Sequence, residues 1–176
     1  MENQKGNLTD VFMQCLQTFQ TLAAEKNFAS RDAYLIPELV GYGREAMLWY
    51  LNNEKILEDI GDSGMYYYVA VNTAFRCGIA FAEDYRENPE LCRTQDYVTS
   101  CLSRGIAAKS EPVIREKLGK EEAEFGHFCL ELYNAWAELE KPWLEDEENG
   151  PTAVFQGIMA AFQLGVSVLM SSYEAK

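Results

Sequence analysis

Apolar residues recur along this chain at three- and four-residue steps, the spacing of helices with one buried face. From Thr9 to Glu25 the stripe is Val11, Phe12, Cys15, Leu16, Phe19, Leu22 and Ala23. Asn7 or Thr9 is placed to cap the free amides of that helix. Ser30 to Ile36 reads as a connector, because the residue before Pro37 is pushed out of helical geometry. Pro37 suits the first turn of a second helix. That helix turns Leu39, Val40, Ala46, Met47, Tyr50 and Leu51 inward and weakens at Asn52-Asn53. A short turn from Glu54 to Ile60 and the loop Gly61-Asp62-Ser63-Gly64 follow.

A third helix, Met65 to Glu87, is apolar nearly all round as far as Ala82, the mark of a central element. Asn88-Pro89 then opens a fourth helix, Glu90 to Arg104, which Gly105 stops. Ser110 is expected to cap a shorter piece ending at Leu118, before Gly119. The fifth helix, Lys120 to Glu140, carries Phe125, Phe128, Cys129, Leu132, Tyr133, Trp136 and Leu139, and is expected to end at Pro142. An acidic loop, Glu145 to Gly150, leads to a last helix with no charged residue between Thr152 and Tyr173. That run is long enough to cross a bilayer. Gln156, Gln163 and Ser167 interrupt it, however, and it lacks a basic N-terminal flank, so it reads as the buried helix of a bundle.

The chain also resembles itself. Displaced by 87 residues, positions 49–87 match at eight of 39 places, including Trp49 with Trp136, Leu57-Glu58-Asp59 with Leu144-Glu145-Asp146, Ala74-Phe75 with Ala161-Phe162, and Gly78 with Gly165. Displaced by 86, Asp10, Cys15 and Leu16 meet Asp96, Cys101 and Leu102. The pattern predicts an all-α bundle of six to seven helices, made of two tandem three-helix units with pseudo-two-fold symmetry. The units are 1–88 and 89–176, sharing one core. Each closing helix bears small residues at four-residue steps: Ala70, Ala74, Gly78 and Ala82 in one, Gly157, Ala161 and Gly165 in the other. A glycine within a helix costs about 1 kcal/mol relative to alanine, a cost that close backbone approach would offset. The two helices are therefore expected to cross near Gly78 and Gly165, with Ala74 and Ala161 in the same contact.

Phe162-Gln163-Leu164-Gly165 followed by Leu169-Met170 resembles a pattern in small uncharacterised helical proteins of Gram-positive gut bacteria. The resemblance covers about one eighth of the chain, in the last helix only, and implies packing rather than an activity.

Charge narrows the function classes. The chain carries 28 acidic and 15 basic residues, a net −13, which repels nucleic-acid phosphates and anionic membranes. The five cysteines form no C-x-x-C pair, and all but Cys92 have apolar neighbours at helical spacing, as buried thiols of a reducing compartment do. A cytoplasmic location is the expectation.

Chemistry is sparse. The single histidine, His127, makes Glu124-x-x-His127, half of a di-iron motif that needs a second such pair. No carboxylate is expected on an apolar face, no nucleophile–base pair stands out, and no catalytic residue, cofactor or metal is assigned. Acid is concentrated instead: residues 111–148 hold twelve acidic and four basic side chains. The candidate partner-binding residues are Glu138, Glu140, Trp143, Glu145, Asp146, Glu147 and Glu148, with the tryptophan as anchor. The sequence thus points to a non-enzymatic module binding a protein with a basic surface. In its most concrete form it is an inhibitor mimicking nucleic acid, as phage anti-CRISPR proteins do. The alternatives are a small-molecule sensor, with Tyr66-Tyr67-Tyr68 and Phe75 lining a cavity, and a structural homodimer.

Overall fold

The computed structural model describes residues 7–28, 37–53, 64–90 and 106–174. All regular structure among them is helical: α1 (Val11–Glu25), α2 (Pro37–Asn53), α3 (Gly64–Glu87), α4 (Ile106–Val113), α5 (Glu122–Leu144) and α6 (Gly150–Glu174). A 3₁₀ turn, Leu8–Asp10, precedes α1, and the Asn7 side chain caps it by accepting from the Thr9 amide at 3.1 Å. The segment expected to form the helix Glu90 to Arg104 lies, beyond Glu90, outside the described residues, as does the Leu57-Glu58-Asp59 match.

Two helices that are apolar over most of their circumference take the centre. From Ala153 to Leu169 every residue of α6 except Gln156 is buried, and α3 is buried continuously from Cys77 to Glu83. Burying one large aliphatic or aromatic side chain is worth about 1.5–3 kcal/mol, so helices of this composition are stable only inside a bundle. α6 is long and apolar enough to cross a membrane by length and composition, yet 89% of its most apolar window is buried within the chain. α1 lies on α6, and α4 on α3. α2 and α5 each touch both central helices.

Glycines set the closest approach. A Cβ added to Gly78 would fall on the carbonyl oxygen of Phe162 and 3.0 Å from the Cα of Gly165. One added to Gly165 would fall on the carbonyl oxygen of Phe75 and 3.0 Å from the Cα of Gly78. The contact is reciprocal, since each glycine faces the carbonyl three residues before the other. Ala74 and Ala161 are fully buried on the same two helices. Gly157 belongs elsewhere: its missing side chain leaves room for Trp136 and Glu140 of α5. The ring of Phe162 occupies the notch at Gly43 of α2 and meets Phe81 edge-on at 5.7 Å.

Two expectations about boundaries are corrected. α5 does not stop before Pro142 but runs through it to Leu144. Proline removes one amide donor near the helix end, and burial of Trp143 in the next position holds the last turn in place. Ser110 is not an N-cap. It is buried within α4, where its Oγ accepts from Arg76 Nη1 at 3.4 Å. α4 continues as a π-helical turn, Ile114–Leu118, and the left-handed Gly119 (φ +65°) ends it, a conformation that favours glycine.

Candidate functional site

The acidic corner between α5 and α6 is built by local hydrogen bonds. Asp146 Oδ1 accepts from the amides of Glu148 (3.0 Å) and Asn149 (2.9 Å), and its carbonyl accepts from the Gly150 amide at 2.8 Å. This turn lets α6 begin at Gly150 and presents Glu145, Glu147 and Glu148 to solvent. Glu138 is exposed two helical turns back along α5 from Glu145. None of these four carboxylates forms an ion pair among the described residues. Asp146 is half-buried and occupied with the turn.

Two of the seven expected partner contacts are corrected. Trp143 is only 4% exposed and belongs to the core. Glu140 is wholly buried. Neither can touch a partner in this structure. The expected end at Pro142 places Trp143 beyond the helix, whereas Glu140 lies inside the expected helix and its charge, not the face it occupies, assigns it to the acidic surface. In a continuous helix, Trp136, Glu140 and Trp143 follow at steps of four and three on one stripe. A carboxylate on an apolar stripe was the available signal.

Glu140 makes the most perturbed site among the described carboxylates. Its Oε1 accepts from the thiol of Cys15 on α1 at 3.6 Å, while Oε2 has no partner among the described residues. The Nε1 of Trp136, one turn earlier, is likewise buried without an acceptor there, and both side chains converge on the space left by Gly157. Burial pushes the Glu140 carboxyl up to about 8, offset slightly by the thiol that donates to it. Burial, and then the adjacent carboxylate, push the Cys15 thiol far above its ordinary range. Burial likewise raises Cys129 to about 12, although Arg76 acts the other way. These are the reverse of activated thiols.

The remaining candidates fall on surface or core. His127 is exposed, with Nε2 3.7 Å from Glu131 Oε1, and Glu124 pairs with Lys120 at 3.4 Å instead. Among the described residues no group of three His, Cys, Asp or Glu could hold a metal. Of the aromatic run, Tyr67 packs against Trp136 (5.3 Å) and Tyr68 against Tyr133 (5.3 Å). Phe75 stacks on Phe125 at 5.5 Å with rings 11° from parallel. The side chain of Tyr66 lies outside the described residues.

No protein-family model matches the chain, and neither a curated protein nor a solved structure is significantly similar to it.

Proposed function

We propose that this protein is a non-enzymatic binding module whose acidic α5–α6 corner docks on a basic surface of another protein, with the binding face of a DNA- or RNA-handling protein as the favoured class. The observation that carries this reading is the set of exposed carboxylates, Glu138, Glu145, Glu147 and Glu148, unpaired among the described residues. Four like charges held near one another raise a local negative potential that steers a basic partner and is screened by salt. The tryptophans do not serve as anchors; affinity rests on charge and on the rigidity of the Asp146 turn.

Beneath that surface we infer a duplicated three-helix unit. Displaced by 87, the bounds 64–87 of α3 become 151–174, against Gly150–Glu174 for α6, and 37–53 of α2 become 124–140, within α5. Contacts are exchanged in the same way. Tyr68 of α3 meets Tyr133 of α5, and Arg44 of α2 lies 5.4 Å over the ring of Phe155 of α6. The reciprocal glycine contact marks where the axis would pass. On this reading each closing helix packs on the other unit, so neither half is stable alone.

The test is association with a panel of basic nucleic-acid-binding proteins across salt, using the wild-type chain and the Glu145→Lys/Glu147→Lys/Glu148→Lys variant. Binding should weaken steadily as salt rises, and the reversal should cost about tenfold or more, equivalent to about 1.4 kcal/mol. Association indifferent to salt, or unchanged by the reversal, would overturn the proposal.

A further inference from the structure

At the opposite end of α5 acidic and basic side chains are mixed in equal number around one space. Arg76 of α3, Arg115 of the π-helical turn and Lys120 converge on one cavity of about 250 Å³. Three of the chain's 15 basic side chains thus face a single space. Three carboxylates, Glu111, Glu121 and Glu122, line the same space. None of the three cations forms an ion pair with any of these carboxylates. Ile114 and Phe125, both buried, supply an apolar floor.

The cations are held by other groups. Arg76 is half-buried, donates to Ser110 Oγ at 3.4 Å, and lies 4.9 Å over the ring of Phe125. It has no carboxylate partner among the described residues, although the chain carries 28 acids. Lys120 is drawn toward Glu124 (3.4 Å) and over the ring of Phe28 (4.5 Å). Arg115 is exposed and makes no ion pair among the described residues. Placing a guanidinium partly out of water without a counter-charge is costly unless something else supplies one. Nearby, α5 begins at Glu122 without a side-chain cap on its first amides, an end that favours negative charge. The wall opposite is a π-helical turn, a rare element found often at functional sites.

We propose that this cavity binds a small zwitterion, a free amino acid, with its carboxylate on Arg76 and Arg115 and its ammonium among Glu111, Glu121 and Glu122. The mixed charge of the lining decides between ligand classes. A simple anion would meet three carboxylates inside a chain of net charge −13, and a simple cation would meet two arginines and a lysine. A molecule carrying both charges satisfies both sets of side chains, and an apolar side chain covers Ile114 and Phe125. The volume is below the ~300–1,000 Å³ of pockets for drug-sized ligands, as an amino acid requires. This site stands apart from the acidic corner and does not depend on the docking proposal.

The full chain is screened by thermal shift against the proteinogenic L-amino acids at millimolar concentration, followed by calorimetry on those that stabilise it. At least one with an apolar side chain should raise the melting temperature in a concentration-dependent way. Its deaminated and decarboxylated analogues should each bind about tenfold more weakly or worse. Arg115→Gln and Glu111→Gln alter exposed residues and leave the Arg76–Phe125 packing intact; each should weaken binding by a similar factor. The proposal is overturned if no amino acid binds, if the deaminated acid binds as well as its parent, or if both variants retain full affinity.

Discussion

Cys15 and Glu140, 125 residues apart in sequence, meet inside the bundle with the thiol donating to the carboxyl across 3.6 Å. A neutral carboxylic acid is tolerated there; a carboxylate is not, because burial leaves it one weak donor and one unpartnered oxygen.

This pair predicts a pH dependence. The folded-state value of Glu140 is raised from 4.5 to about 8, so the folded chain holds a proton that the unfolded chain has already released. The associated stability is complete below about pH 4.5 and is lost as pH rises through about 8, by on the order of 1.4 kcal/mol per unit of displacement. Urea unfolding from pH 5 to 9 should show wild-type stability falling relative to Glu140→Gln, whose side chain has the same shape and cannot ionise. A constant difference between the two proteins across that range would contradict this account.

Glycine substitutions should divide by what lies opposite. Gly78→Ala and Gly165→Ala drive a methyl group into a backbone carbonyl of the facing helix, which cannot yield as a side chain would. Each should destabilise by about 3 kcal/mol or more, at or beyond the upper end for overpacked cores. Gly41→Ala and Gly126→Ala, also helical, meet nothing within 4 Å and should stabilise by about 0.5–1 kcal/mol through helix propensity. Denaturant midpoints for the four variants, compared at a common slope, check the contrast.

Trp143 and its acidic neighbours should separate in the same assay. Trp143→Ala removes a side chain that is 4% exposed and should cost about 3–5 kcal/mol of stability. Glu147→Lys changes an exposed residue and should move stability by less than about 0.5 kcal/mol. Trp143→Ala that binds a partner weakly while remaining as stable as wild type would return the tryptophan to the surface.

Much of the helical framework was legible, and where it was not the reason is local. Asn7, Pro37, Glu87 and Gly119 punctuate the chain where turn and cap chemistry places them. Pro142 misled, because its helix-breaking cost is small in a last turn when the next residue is buried. That boundary gave Trp143 to the surface; Glu140 already lay inside the expected helix, and its charge obscured that it continues the stripe of Trp136. Ser110 misled similarly: it sits inside its helix rather than at the start, and its hydroxyl accepts from Arg76, a residue 34 positions away.

By itself the sequence determined the buried stripe of α1 and the central place of α3 and α6, because three-and-four periodicity is a property of neighbouring residues along one element. It also marked Gly78 and Gly165 as notches on two apolar rods. Only the tertiary structure decided what fills each notch, that Cys15 lies against Glu140, and that Arg76, Arg115 and Lys120 share one cavity. Those relations join distant parts of the chain through the crossing of whole helices, and neither the hydropathy pattern nor local charge spacing encodes which side chains a crossing brings face to face.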